Sequence, residues 1–257
     1  MTGSPGRFVW TDLVTHDQKK AIDFYTKLLE LGSQTTEFET FTHTALKKDE
    51  SWVGGGIVTA NGIPAEVPSH WLPYLTVNDV DKATETALGL GATQLSAPED
   101  IPEVGRFSII QDPQGAVVAL YKAFGEMGEI EFSGTPFRFC WGELSTDDVK
   151  ASKEFYSKVT GWSEYKEWDM GDGSFYHMPQ ADNMDAAGIY KKSPEDPSPP
   201  HWTVYFAVPD VDARAETTQK LGGKVLMGPQ DIPGVGRFAI IMDTVGAVIG
   251  LMTGEPK

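Results

Sequence analysis

The chain has 257 residues, with 21 Lys and Arg against 37 Asp and Glu, a formal net charge of −16. That length suits one or two globular domains, and so acidic a surface repels phosphate backbones and anionic lipid headgroups, which excludes nucleic acid and membranes as expected partners. No apolar run reaches the roughly 20 residues that span a bilayer, and the N-terminal MTGSPGRFVW has no basic segment leading into an apolar one, so a cytoplasmic location is expected.

Phe8 to Val14 reads as a strand. From Asp17 to Leu29, the residues Ala21, Phe24, Tyr25, Leu28 and Leu29 share one helical face, and Gly32 marks the stop. Gly54-Gly-Gly56 lacks a following helix with lysine, so it reads as a close-approach strand or turn rather than a phosphate cradle. Trp71 to Val77 is strand-like, and Asp79 to Leu88 is helical up to Gly89 and Gly91. Two hairpin strands, 107–110 and 116–121, reverse at Asp112-Pro-Gln-Gly115, where proline and glycine suit a tight turn. Segment 123–136 mixes glycine, acids and a closing proline and reads as a linker, while Phe124, Met127, Ile130 and Phe132 suggest that it packs. Cys140, the single cysteine, sits in Phe137-Arg-Phe-Cys-Trp141 and reads as a small buried hydrophobe without disulfide or zinc partner.

The same order then returns. Trp10 and Trp141 lie 131 positions apart, and this offset also relates Phe24-Tyr25 to Phe155-Tyr156, His70-Trp71 to His201-Trp202, Tyr74 to Tyr205 and Gly105-Arg-Phe107 to Gly236-Arg-Phe238. The match slips by one residue around Gly56-Ile57 and Gly188-Ile189 and then recovers, as a loop allows. The duplication predicts two homologous domains, 6–122 and 137–254, joined by 123–136. Within each, the strand–helix–strands order occurs twice.

This layout resembles the vicinal oxygen chelate superfamily, which includes glyoxalase I, the bleomycin-resistance proteins and extradiol dioxygenases. The resemblance rests on the helix motif ending in Phe24-Tyr25 and Phe155-Tyr156, and on the closing pattern Gly105-Arg-Phe-Ser-Ile-Ile-Gln-Asp-Pro-Gln-Gly115 with its echo Gly236-Arg-Phe-Ala-Ile-Ile-Met-Asp-Thr-Val-Gly246. It implies an α+β fold of two tandem glyoxalase-like domains, each of two βαβββ modules forming a half-open barrel whose inward strand residues line a cavity. It also implies either a monomer with pseudo-dimeric domain pairing or a homodimer.

Strand alternation then names the inward candidates for ligand binding. In the first domain they are Trp10, Asp12, His70, Tyr74, Phe107 and Tyr121; in the second, Trp141, Glu143, His201, Tyr205, Phe238 and Met252. The resemblance implies a divalent metal on four strands, but counting from the helix-start aspartates puts those positions on Trp10, the Gly54–Val58 stretch, Leu72 and Ala119, and on Trp141, the Ala187–Tyr190 stretch, Thr203 and Gly250. A two-residue slip would bring in only Asp12 with His70, or Glu143 with His201, one protein ligand fewer than catalytic zinc normally uses. No cofactor is therefore predicted, a divalent metal remaining the alternative.

Asp12 and Glu143 are acids in apolar strands and need partners, either a bound ligand or a protein group such as Arg106 or Arg237. Those arginines are expected to pair with loop carboxylates such as Asp100 or Asp231. His70 and His201 either work at the cavity rim or tie down the proline-bearing loops before them. A further alternative gives the site to one domain alone, with the segment Pro179 to Pro200 as its lid. The expected function is metal-independent binding of an apolar or aromatic small molecule; the alternative is a metal-dependent glyoxalase I-like lyase or isomerase, or an extradiol-type dioxygenase.

Overall fold

The computed structural model describes residues 4–38, 41–59, 62–125 and 136–255. The first repeat opens with β1 (Phe8–Thr15) and α1 (Gln18–Leu28), then β2 (Gly32–Glu37), β3 (Thr42–Lys48) and β4 (Ser51–Thr59). Its second half runs β5 (His70–Thr76), α2 (Val80–Gly89), β6 (Thr93–Ile101), β7 (Gly105–Gln111) and β8 (Val117–Ala123). The second repeat gives β9 (Phe139–Thr146), α3 (Val149–Thr160), β10 (Tyr165–Asp169), β11 (Phe175–Ala181), β12 (Met184–Asp185) and β13 (Gly188–Lys191), then β14 (His201–Ala207), α4 (Val211–Lys220), β15 (Lys224–Ile232), β16 (Gly236–Met242) and β17 (Val248–Gly254). The expected pair of βαβββ modules is therefore present in each repeat. The 179–200 segment is no free lid, because β13 inside it pairs in parallel with β9.

One sheet has the order β2-β3-β4-β1-β5-β8-β7-β6 and the other β10-β11-β13-β9-β14-β17-β16-β15, with β12 on β11; neither closes into a barrel. Among the described residues all four helices start at an aspartate whose side chain accepts a backbone N–H of the first turn: Asp17, Asp79, Asp148 and Asp210. By contact, the described residues within 10–72, 130–140 and 204–257 form one compact unit and those within 1–9, 73–129 and 141–203 the other, so each unit takes a half from both repeats. Met127, Ile130 and Phe132 of the joining segment lie outside the described residues, and Phe124 is exposed.

The motifs that carried the resemblance turn out to be core pieces. In the first unit, α1 buries Ala21, Phe24, Tyr25 and Leu28, with Leu13, Leu46 and Ile57 in the same core. The Tyr25 hydroxyl receives the Trp71 indole N–H at 3.0 Å and donates to Asp243 Oδ2 at 2.8 Å. In the second unit, Tyr156 of α3 receives Trp202 Nε1–H at 2.9 Å and donates to Asp112 Oδ2 at 3.0 Å. Asp112 Oδ1 also accepts the backbone N–H groups of Gln114, Gly115 and Ala116, holding the hairpin turn. Burial drives both phenols well above their ordinary pKa, with the adjacent carboxylate adding to the effect, so they stay protonated donors. Each aromatic ring sequestered this way contributes on the order of 2 kcal/mol through apolar area alone.

Alternation along β7 and β8 shows which sheet face is covered. Ser108, Ile110, Val118 and Leu120 are fully buried, and Ser108 Oγ lies 2.7 Å from Thr84 Oγ1 of α2. Phe107, Ile109, Gln111 and Val117, on the other face, are only half-buried. The face away from the helix thus carries large, partly exposed side chains.

Candidate functional site

In the first unit, Asp12 sits on the open face of β1, directly opposite Gly56 of β4. Its buried carboxylate accepts two hydrogen bonds on one oxygen: Oδ1 receives Trp10 Nε1–H at 2.8 Å and His43 Nε2–H at 3.0 Å. His43 comes from β3, on the far side of β4, and reaches Asp12 across the strand between them. Only glycine permits this crossing, since a Cβ on Gly56 would stand 2.4 Å from His43 Nε2 and 2.7 Å from Asp12 Oδ1. The Trp10 and His43 rings lie 6.0 Å apart, tilted by 36°, and the His43 side chain keeps 20% of its surface exposed. Burial by itself would lower the His43 pKa, but its hydrogen bond to Asp12 and the charge of that carboxylate outweigh it, and the pKa is raised. Among the described residues, neither Asp12 Oδ2 nor His43 Nδ1 receives a protein partner.

The second unit builds a related cluster from different groups. Glu143 of β9 lies opposite Gly188 of β13, and Tyr176 of β11 crosses over that glycine. A Cβ there would fall 1.7 Å from the Tyr176 hydroxyl. Trp141 Nε1–H donates to the Tyr176 oxygen at 2.7 Å, and the hydroxyl donates onward to Glu143 Oε2 at 2.9 Å. Tyr190 stacks on Tyr176 with centroids 6.2 Å apart. Burial, then the Glu143 charge, push the Tyr176 phenol well above its usual range and Tyr190 up to about 12.

The other sequence candidates are placed as follows. Tyr74 packs edge-on against Tyr121 at 6.0 Å and lies 6.3 Å from Phe107, while the Tyr121 hydroxyl donates to Val104 O at 3.1 Å. Tyr205 lies over Gly250, where a Cβ would come within 2.0 Å of the ring, and Phe238 pairs with Met252 across β16 and β17. His70 and His201 donate Nδ1–H to the carbonyls of Pro68 and Pro199 at 2.9 and 2.8 Å, which ties down the preceding loops. The suggested Asp12–Arg106 type of pairing is not made. Arg106 instead spans Asp81 and Asp100, and Arg237 spans Asp212 and Asp231, because both guanidinium groups lie on the outer side with acids from a helix start and an edge strand. Strand alternation does not point to His43 or Tyr176; the glycine opposite each acid is the sequence signal for them.

The Glyoxalase/Bleomycin resistance protein/Dioxygenase superfamily model matches residues 7–120 and 136–251. The chain belongs to this superfamily. Among superfamily relatives, it is 32% identical to "Putative glyoxylase CFP32" of Mycobacterium tuberculosis, covering 96% of this chain and 95% of that protein. It is 28% identical to "Anthracycline biosynthesis protein DnrV" of Streptomyces peucetius, over 98% and 96% of the two chains. Its fold matches the Mn(II)-bound glyoxalase from Novosphingobium aromaticivorans with a TM-score of 0.63 at 16% identity, over 98% of this chain and 83% of that one. The substrate complex of homoprotocatechuate 2,3-dioxygenase from Brevibacterium fuscum matches with a TM-score of 0.65 at 16% identity, over 98% and 82%.

The superfamily implies a divalent metal, and the donor set here does not fit one. Asp12 and His43 supply one carboxylate and one imidazole, and the shared Oδ1 is already taken by two N–H groups. Among the described residues, Glu143 accepts from the Tyr176 phenol, which in turn accepts from the Trp141 indole. Among the described residues no three His, Cys, Asp or Glu side chains gather, whereas catalytic zinc sites use three protein ligands.

Proposed function

We propose that this superfamily member binds a planar, hydroxylated aromatic small molecule on the open sheet face, in the cytoplasm and without a protein-held metal. The observation that carries this reading is the Trp10–Asp12–His43 cluster. It offers a half-buried indole, a partly exposed imidazole and a carboxylate oxygen with no protein donor among the described residues. A flat ring gains area against the indole while its hydroxyl donates to Asp12 Oδ2, combining apolar burial with one oriented polar contact. The similarity to proteins named for anthracycline biosynthesis supports an aromatic ligand.

The test is a thermal shift with quinizarin, a planar dihydroxyanthraquinone, on protein whose metal content has been measured before and after chelation. Binding to the folded state raises the melting temperature with ligand concentration. The shift is expected to persist in metal-free protein and to shrink in Asp12→Asn. A shift that appears only with stoichiometric divalent metal supports the lyase or dioxygenase alternative instead.

A further inference from the structure

Asp12 and His43 do more than present polar edges. The carboxylate can only accept, so Nε2 carries the proton that binds it, and the neutral ring therefore has its lone pair on Nδ1. That nitrogen has no protein partner among the described residues, on a side chain that remains partly exposed. A fixed tautomer, a bare nitrogen and a carboxylate behind the ring are the parts of a general base whose conjugate acid is stabilised as it forms.

We propose that His43 and Asp12 form a metal-independent acid–base dyad that moves a proton at an aryl-activated carbon next to a carbonyl group. This rests on the binding reading above, with the aromatic part of the substrate lying against Trp10. His43 Nδ1 takes the C–H proton. The bonding pair becomes the enolate double bond, and the charge passes to the carbonyl oxygen. The imidazolium, paired with Asp12, then returns the proton to the oxygen, giving the enol tautomer, or to the same carbon, giving hydrogen exchange with no other net change; neither outcome needs an oxidant, reductant or further reactant. His43 is the catalytic residue and Asp12 the positioning residue. The raised His43 pKa agrees with this assignment, since the adjacent Asp12 carboxylate favours the imidazolium. Asp12 is the charged group that meets the ring; β4 sets Gly56 and Val58 on this side and β2 sets Thr36 opposite His43, with exposed Glu37 next in that strand.

The experiment follows deuterium incorporation into the benzylic carbon of β-tetralone by proton NMR in D2O, using the full chain treated with chelator. Wild type is expected to accelerate exchange, and His43→Gln, whose amide can still donate to Asp12, to lower that acceleration on the order of 10²-fold. Asp12→Asn is expected to slow exchange and to move the midpoint of its pH profile downward, which a loss of packing alone would not do. His16→Gln, on the exposed turn before α1, serves as the unaffected control. Exchange in His43→Gln at the wild-type rate overturns the dyad, as does no acceleration by wild type. Either result leaves the binding reading to be decided by the quinizarin shift.

Discussion

The two acid clusters occupy matching places in the duplicated sequence, yet only the one around Asp12 contains an imidazole among the described residues. Around Glu143, indole, phenol and carboxylate form a relay of the same kind as Trp71–Tyr25–Asp243 and Trp202–Tyr156–Asp112. Those two relays are wholly internal, and a phenol held well above its ordinary pKa is a permanent donor. Around Asp12, an imidazole replaces the phenol and the indole turns directly to the carboxylate. Duplication kept the strand, an acid and the crossing glycine, while the residue that crosses differs: imidazole over Gly56 and phenol over Gly188.

The largest effects should come from the crossing glycines. Gly188→Ala drives its methyl into a phenol oxygen held by hydrogen bonds to both Trp141 and Glu143, and we expect a loss of about 3 kcal/mol, at the upper end for overpacking. Gly56→Ala meets the end of a partly exposed imidazole that can swing aside, and we expect about 1–2 kcal/mol together with loss of the His43–Asp12 contact. Urea unfolding measures both, and equal losses would break the comparison. Next in size, Tyr176→Phe removes the hydroxyl that links Trp141 to Glu143 and should cost about 1–2 kcal/mol in the same assay.

The smallest effect concerns pH. His43 binds its proton more tightly folded than unfolded, so its stabilisation is complete below the ordinary histidine value and is lost as pH rises through the raised folded value. Stability should therefore fall with rising pH across that window, by no more than about 1.4 kcal/mol per pH unit for one proton. This part of the slope should vanish in His43→Gln and remain in Tyr176→Phe. A slope unchanged by His43→Gln would show that other groups set it.

Much of this was legible in the sequence because the informative strands are covered on one face. β1, β5, β7 and β8 show apolar runs or alternation, and the repeat at a fixed offset multiplied that signal. β2 (GSQTTE) is exposed at every position and β6 at most, so the hydrophobic pattern that reveals a strand is missing there. Asp12 and Glu143 stood out as acids needing partners. Their partners did not, since His43 and Tyr176 lie on a strand once removed and reach back over a glycine. The Arg106–Asp100 and Arg237–Asp231 pairs follow from the sequence, but the helix-start acids Asp81 and Asp212 that grip the arginines bidentately are visible only in three dimensions.

The most direct measurement is a long-range proton–nitrogen NMR spectrum of the imidazole rings, titrated with quinizarin in the presence of chelator. With five histidines in the chain, assignment by substitution is practical. We predict that His43 Nδ1 shifts with ligand while its Nε2–H bond to Asp12 persists, and that His70 and His201 stay unchanged. A His43 signal indifferent to ligand, or one that moves only after a divalent ion is restored, would contradict it.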